Sequence, residues 1–103
     1  PAEAGKISVG GLVIYPENGK VELDGSDLSL TDIEFRILLL LASNPKKIFS
    51  TQNIYESIWN EPYFYASNNT VMVHIRNLRR KLTADGQYPD VIKTVWGRGY
   101  HID

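Results

Sequence analysis

The chain contains no cysteine. Disulfides, thiol nucleophiles and zinc–thiolate sites are therefore excluded. Long hydrophobic runs are missing too. The longest, Ile37 to Ala42, falls far short of the roughly 20 apolar residues that span a bilayer. No secretory signal pattern opens the chain, so a cytoplasmic protein away from membranes is expected. An excess of one charge sign is also lacking: 11 Lys and Arg stand against 12 Asp and Glu, a net charge of −1. Such a total argues against a nucleic-acid partner, but it does not say where the charges sit.

What is present is globular. The 103 residues suit one domain, and 43% hydrophobic with 22% charged residues is not the composition of a disordered chain. The charges are polarised. Residues 1–69 carry a net −4 and residues 70–103 a net +3. Between Thr70 and Thr83 lie four basic residues and no acid, so any anion-binding surface belongs to the C-terminal third.

Residues 1–6 read as a linker remnant and residues 7–103 as the domain. Ile7–Leu30 alternates apolar and polar residues between turn signals at Gly10-Gly11, Asn18-Gly19 and Asp24-Gly25, the pattern of a short antiparallel meander. Thr31 and Glu34 form a capping box, flanked by a Leu30–Phe35 hydrophobic staple. The first helix then runs from about Asp32 to Ser43 and stops at Asn44-Pro45. Its apolar residues cover nearly all faces, which predicts a buried central helix. Ser50 caps a second helix, Thr51–Trp59. A loop with Tyr63, Phe64 and Tyr65 follows, then a third helix from about Asn68 to Thr83 with Asp85-Gly86 as the turn beyond it. Val91–Trp96 and Gly99–Ile102 flank Gly97-Arg98 as a hairpin.

At 100° per residue, Val71, Ile75, Leu78 and Leu82 fall on one narrow stripe of the third helix, the core face. Val73, Arg76, Asn77 and Arg80 occupy the opposite face. Thr70, His74 and Lys81 flank one side of it, Met72 and Arg79 the other. A solvated face is one reading. However, no carboxylate is interspersed, whereas solubility faces usually mix signs. The inventory also suits a DNA major groove: Arg matches guanine edges or phosphates, Asn matches adenine, and Val or Thr can touch a thymine methyl. Arg98, between two glycines at the hairpin tip, suits the negative potential of a minor groove.

These residues resemble a known family. Leu30-Thr31-x-x-Glu34-Phe35-x-x-Leu38-Leu39, Ser50-x-x-x-Ile54-x-x-x-Ile58-Trp59, Thr70-Val71-x-Val73-His74-Ile75-Arg76-x-Leu78-Arg79-x-Lys81-Leu82 and Ile92-Lys93-Thr94-Val95-Trp96-Gly97-x-Gly99-Tyr100 are similar to the winged-helix effector domain of OmpR/PhoB-type response regulators. Val71 to Arg76 looks most like the regulators of vancomycin-resistance type. The resemblance implies an α+β winged helix-turn-helix: a four-stranded antiparallel sheet, three helices and a C-terminal hairpin wing. It implies binding to double-stranded promoter DNA, with the helix over about 68–83 in the major groove and the wing over 91–102 on the minor groove. Thr70, Val73 and Asn77 would face bases. His74, Arg76, Arg79 and Arg80 would hold phosphates or edge bases, and Trp59 would donate its indole N–H to a phosphate. Thr94 and Tyr100 would grip the backbone beside Arg98. The loop with Glu61, Tyr63, Phe64 and Tyr65 stands where relatives meet RNA polymerase; its aromatics could equally fold back onto the core.

Further implied partners are a second protomer, bound head-to-tail on direct-repeat half-sites, and a receiver domain in the full-length protein. The receiver domain is not in this sequence, so the chain alone is expected to bind DNA without phosphorylation control. Asn69, Met72, Asn77 and Trp96 depart from residues common in relatives, so a target sequence cannot be copied from one. Rival classes are weaker. His74 and His101 are the only histidines and pair with no nucleophile or metal cluster, so neither catalysis nor a cofactor is expected. A winged helix used only for protein contacts is the alternative function.

Overall fold

The computed structural model describes residues 5–83 and 91–103. The Asp85-Gly86 turn and most of the linker stretch lie outside the described residues. Four short strands open the fold: β1 (Ile7–Val9), β2 (Leu12–Tyr15), β3 (Lys20–Leu23) and β4 (Ser26–Asp27). They form an antiparallel sheet in sequential order, with Ile14 opposite Ile7 on one side and Val21 on the other. Asp24 and Gly25 both have positive φ, 53° and 83°, the backbone that a two-residue hairpin turn demands. Leu12, Ile14 and Val21 point to one face and are buried, so the meander contributes one side of its surface to the core.

Helix α1 (Asp32–Ala42) begins as the capping box predicts. Glu34 N–H donates to Thr31 Oγ1 at 3.2 Å, and Thr31 N–H donates to Glu34 Oε1 at 3.0 Å. Helix α2 (Thr51–Trp59) has its own reciprocal cap between Ser50 and Asn53. It ends at Asn60, whose φ of 56° closes the helix in the left-handed region. Helix α3 (Ser67–Leu82) starts and stops one residue before the periodicity suggests. Val71, Ile75, Leu78 and Leu82 are buried, as the stripe requires. The hairpin is β5 (Lys93–Val95) and β6 (Gly99–His101), with Thr94 opposite Tyr100.

Two features differ from the sequence reading. Helix α1 is not buried all round. Ile37, Leu38, Leu41 and Ala42 face the core, whereas Ile33, Phe35, Leu39 and Leu40 are only half-buried, because α2, α3 and β6 cover one side of the helix. The wing also has a third partner. Phe49 and Tyr100 exchange backbone hydrogen bonds at 2.8 and 2.9 Å, so the connector between α1 and α2 runs alongside β6. Gly99 makes this approach possible. Its φ is +142°, and a Cβ there would fall on the Phe49 carbonyl.

Candidate nucleic-acid interface

The buried stripe of α3 fixes which residues it presents outward. Met72, Val73, Arg76 and Arg80 are exposed; Thr70, His74, Asn77 and Arg79 are half-buried at the edges. Three adjoining concave surfaces connect this face to its neighbours. One, of about 670 Å³, is lined by Tyr65, Ala66, Asn68, Asn69, Thr70, Val73 and His74. A second, of about 300 Å³, carries Val73, Arg76 and Arg79 across to Tyr100. A third, of about 290 Å³, joins Asn68 to Thr94, Trp96, Arg98 and Tyr100 on the wing and to Ser50 and Thr51. Shared residues make these one continuous surface spanning α3 and the wing.

Side-chain contacts sort the basic residues. Arg76 and Arg98 are exposed, and neither pairs with a carboxylate among the described residues. Arg80 reaches back one turn and donates to Asn77 Oδ1 at 3.0 Å. Arg79 crosses to the wing, where Nη2 donates to the Ile92 carbonyl at 2.9 Å and to Thr94 Oγ1 at 2.5 Å. Its guanidinium also lies 5.4 Å from the centre of the Tyr100 ring. Arg79, Thr94 and Tyr100, 21 residues apart at the extremes, therefore act as one clasp between helix and wing.

Lys81 corrects the helical-wheel reading. It does not join the outer face but bonds Glu34 Oε1 at 2.6 Å, across 47 residues. Glu34 is only 2% exposed. Burial pushes its carboxyl upward, but the Lys81 ammonium and the Thr31 hydrogen bonds together outweigh burial and hold it below the ordinary carboxylate value. The start of α1 is thereby tied to the end of α3.

Trp59 is half-buried. Its indole stacks on Tyr55 at 5.0 Å between ring centres and lies 5.6 Å from His74. Tyr63 and Phe64 both meet Tyr55 edge-on at 6.1 Å. Glu61 accepts a long hydrogen bond from the Tyr55 hydroxyl at 3.5 Å. Of the four loop residues, Tyr63 is half-buried, Glu61 and Phe64 are exposed, and Tyr65 stands 98% exposed. Among the described residues no helix is long and apolar enough to cross a membrane, and no trio of His, Asp or Glu could hold a metal ion.

Residues 25–102 match the family model described as "Transcriptional regulatory protein, C terminal". The chain belongs to this family. It is 55% identical over 93 residues to the uncharacterized transcriptional regulatory protein YrkP of Bacillus subtilis, covering 90% of this chain and 40% of that one. Regulatory protein VanR of Enterococcus faecium is 44% identical over 93 residues, with the same coverages, which supports the likeness to vancomycin-resistance regulators. The response regulator DrrB, a Thermotoga maritima OmpR/PhoB homolog, superposes with a TM-score of 0.82 at 33% identity, over 95% of this chain and 44% of that one. The Klebsiella pneumoniae RstA DNA-binding domain, solved in complex with the RstA box, superposes with a TM-score of 0.81 at 31% identity, over 94% of this chain and 95% of that one. The chain is thus an OmpR/PhoB-type winged-helix effector domain. It spans about two-fifths of the curated relatives it matches.

Three features of this effector domain escaped the sequence reading. Trp96 stands 91% exposed at the wing tip, in a turn closed by Arg98 N–H to the Val95 carbonyl at 2.9 Å. The Arg80–Asn77 pair was signalled only by its i,i+3 spacing. The Phe49–Tyr100 bridge leaves no local signal, because its two residues are 51 apart.

Proposed function

We propose that this domain binds double-stranded promoter DNA sequence-specifically, as the cytoplasmic C-terminal output unit of a two-component response regulator that controls transcription. One observation carries the reading: a continuous surface over α3 and the wing presents Arg76 and Arg98, with exposed Arg80 on the same outer side of α3, and none of the three has a carboxylate partner among the described residues. Such cations suit a polyanion. The RstA domain, of the same fold, was solved with its box, which supports the choice of DNA.

In this reading α3 enters the major groove, with Thr70, Val73 and Asn77 toward bases. His74, Arg76 and Arg80 meet phosphates or edge bases, and the Trp59 indole N–H meets a phosphate. Arg98 enters the minor groove, with Thr94 and Tyr100 on the adjoining backbone. Arg79 serves through its clasp, holding the wing at a set distance from α3 while remaining at the edge of the phosphate path. Arg80 orients Asn77: with Oδ1 engaged by the guanidinium, the amide plane is fixed before a base arrives. Two protomers bind direct-repeat half-sites head-to-tail, a receiver domain precedes this domain in the full-length protein, and the exposed loop residues Glu61 and Phe64, braced by Tyr63, face RNA polymerase.

Selection of bound sequences from a random duplex pool tests the proposal. The expected result is an enriched direct repeat whose affinity falls steeply with salt. Absent or salt-independent binding to every duplex would overturn it in favour of a module that contacts only proteins.

A further inference from the structure

The three consecutive aromatics of the loop do not share one environment. Tyr63 and Phe64 turn back onto Tyr55. Tyr65 has no ring partner among the described residues and is 98% exposed. Its backbone is nevertheless firmly held. Phe64 N–H donates to Ser67 Oγ at 3.1 Å, and Ser67 N–H donates to the Phe64 carbonyl at 2.9 Å, with Ser67 itself fully buried. Tyr65 therefore projects from a turn closed at both ends.

That turn leads directly into α3. Tyr65 lines the same 670 Å³ concavity as Thr70, Val73 and His74, and no acidic residue lines it. The phenol ring thus forms one wall of the concavity that Thr70, Val73 and His74 also line.

We infer that Tyr65 is a DNA-contacting residue, not part of the surface that meets polymerase: its ring lies against the sugar–phosphate strand bordering the groove that α3 enters. The inference rests on the DNA reading above. The chemistry fits a strand wall. The ring offers a flat apolar face to deoxyribose, and the hydroxyl donates to a phosphate oxygen. A tyrosine presents this area with few rotatable bonds, so little is lost when it is ordered. Because it is neutral, it releases no counterion on binding. It strengthens binding without steepening the salt dependence, unlike Arg76 or Arg98.

The test uses the purified domain and a selected duplex, with no polymerase present. Tyr65→Ala is expected to weaken binding about tenfold on a single half-site. The slope of log affinity against log salt should not change, nor should the Tm, since the ring packs on nothing. Tyr65→Phe should recover part of the loss by restoring the ring without its hydroxyl. Wild-type affinity in Tyr65→Ala overturns the inference and returns the residue to a protein-facing loop. A loss seen only on paired half-sites overturns it too, placing the ring against the neighbouring protomer. If the unaltered domain binds no duplex at all, the DNA reading itself fails, and this inference with it.

Discussion

Lys20 and Arg36 of the N-terminal scaffold and the outward arginines of the α3–wing surface live under different rules. Lys20 lies 3.3 Å from Glu22 and 3.7 Å from Asp27, and Arg36 lies 3.9 Å from Asp32. Arg76, Arg80 and Arg98 have no such neighbours among the described residues. The scaffold pairs are solvent-exposed, and pairs of that kind contribute little to stability. They compensate individual scaffold cations, while Arg76, Arg80 and Arg98 stand without a carboxylate partner among the described residues. A net charge near zero thus conceals an oriented molecule. Lys81 shows that position in the chain does not decide which rule applies. It follows Arg79 and Arg80 directly, yet it is bound to Glu34.

Five measurements break or sharpen this contrast. The largest effect is expected from Leu78→Ala, which removes a fully buried side chain beneath both regions. Urea unfolding should show a loss of about 2–5 kcal/mol, and the reading surface should fail with the scaffold. Next comes Glu34→Ala, which removes half of the α1 cap and strands Lys81. A loss of about 1–3 kcal/mol is expected, tempered because Lys81 is partly solvated.

The same carboxylate sets a pH dependence. Its folded value lies below the ordinary 4.5, so the unfolded chain binds the proton more readily. The stabilisation is present above 4.5 and is lost as pH falls through the lower folded value. Glu34→Gln should flatten stability measured across that acid range.

The fourth measurement separates Asn77 from Arg80. Asn77→Ala should erase discrimination at one base position, a change of about 1–3 kcal/mol. Arg80→Ala should blur the same position, in addition to any phosphate effect, because it releases the amide. Unchanged base preference in Arg80→Ala would show that the pair seen between them has no part in readout. The smallest effect is the most diagnostic of the two rules. Arg76→Ala and Arg98→Ala should each lower the salt slope by about one, whereas Lys81→Met should leave it unchanged.

Most of the fold was legible because its signals are local. The Thr31–Glu34 and Ser50 caps, the paired turn residues at Asp24-Gly25 and the four-residue core stripe of α3 are each written within a few positions. The outer face of α3 follows from that stripe by geometry alone. The contacts that sequence could not supply are those between distant residues. Lys81 and Arg79 sit on opposite flanks of the outer face of α3, but only the fold shows that one flank meets α1 and the other the wing. Likewise the half-exposed flank of α1 depends on which neighbours cover it, and no run of leucines states that. The split within Tyr63-Phe64-Tyr65 is set by a turn whose closing group is the buried Ser67.

The wing is fastened twice, by Arg79 to α3 and by backbone to the α1–α2 connector at Phe49. Both fastenings oppose movement of the hairpin relative to α3. On the DNA reading proposed above, the domain would work as a caliper with a fixed gap. Each added base pair between the helix-read and wing-read segments turns the duplex by about 34°. In the proposed complex, insertions within a half-site should therefore be rejected, while the spacing between half-sites is set by the head-to-tail contact of the protomers and not by this clasp.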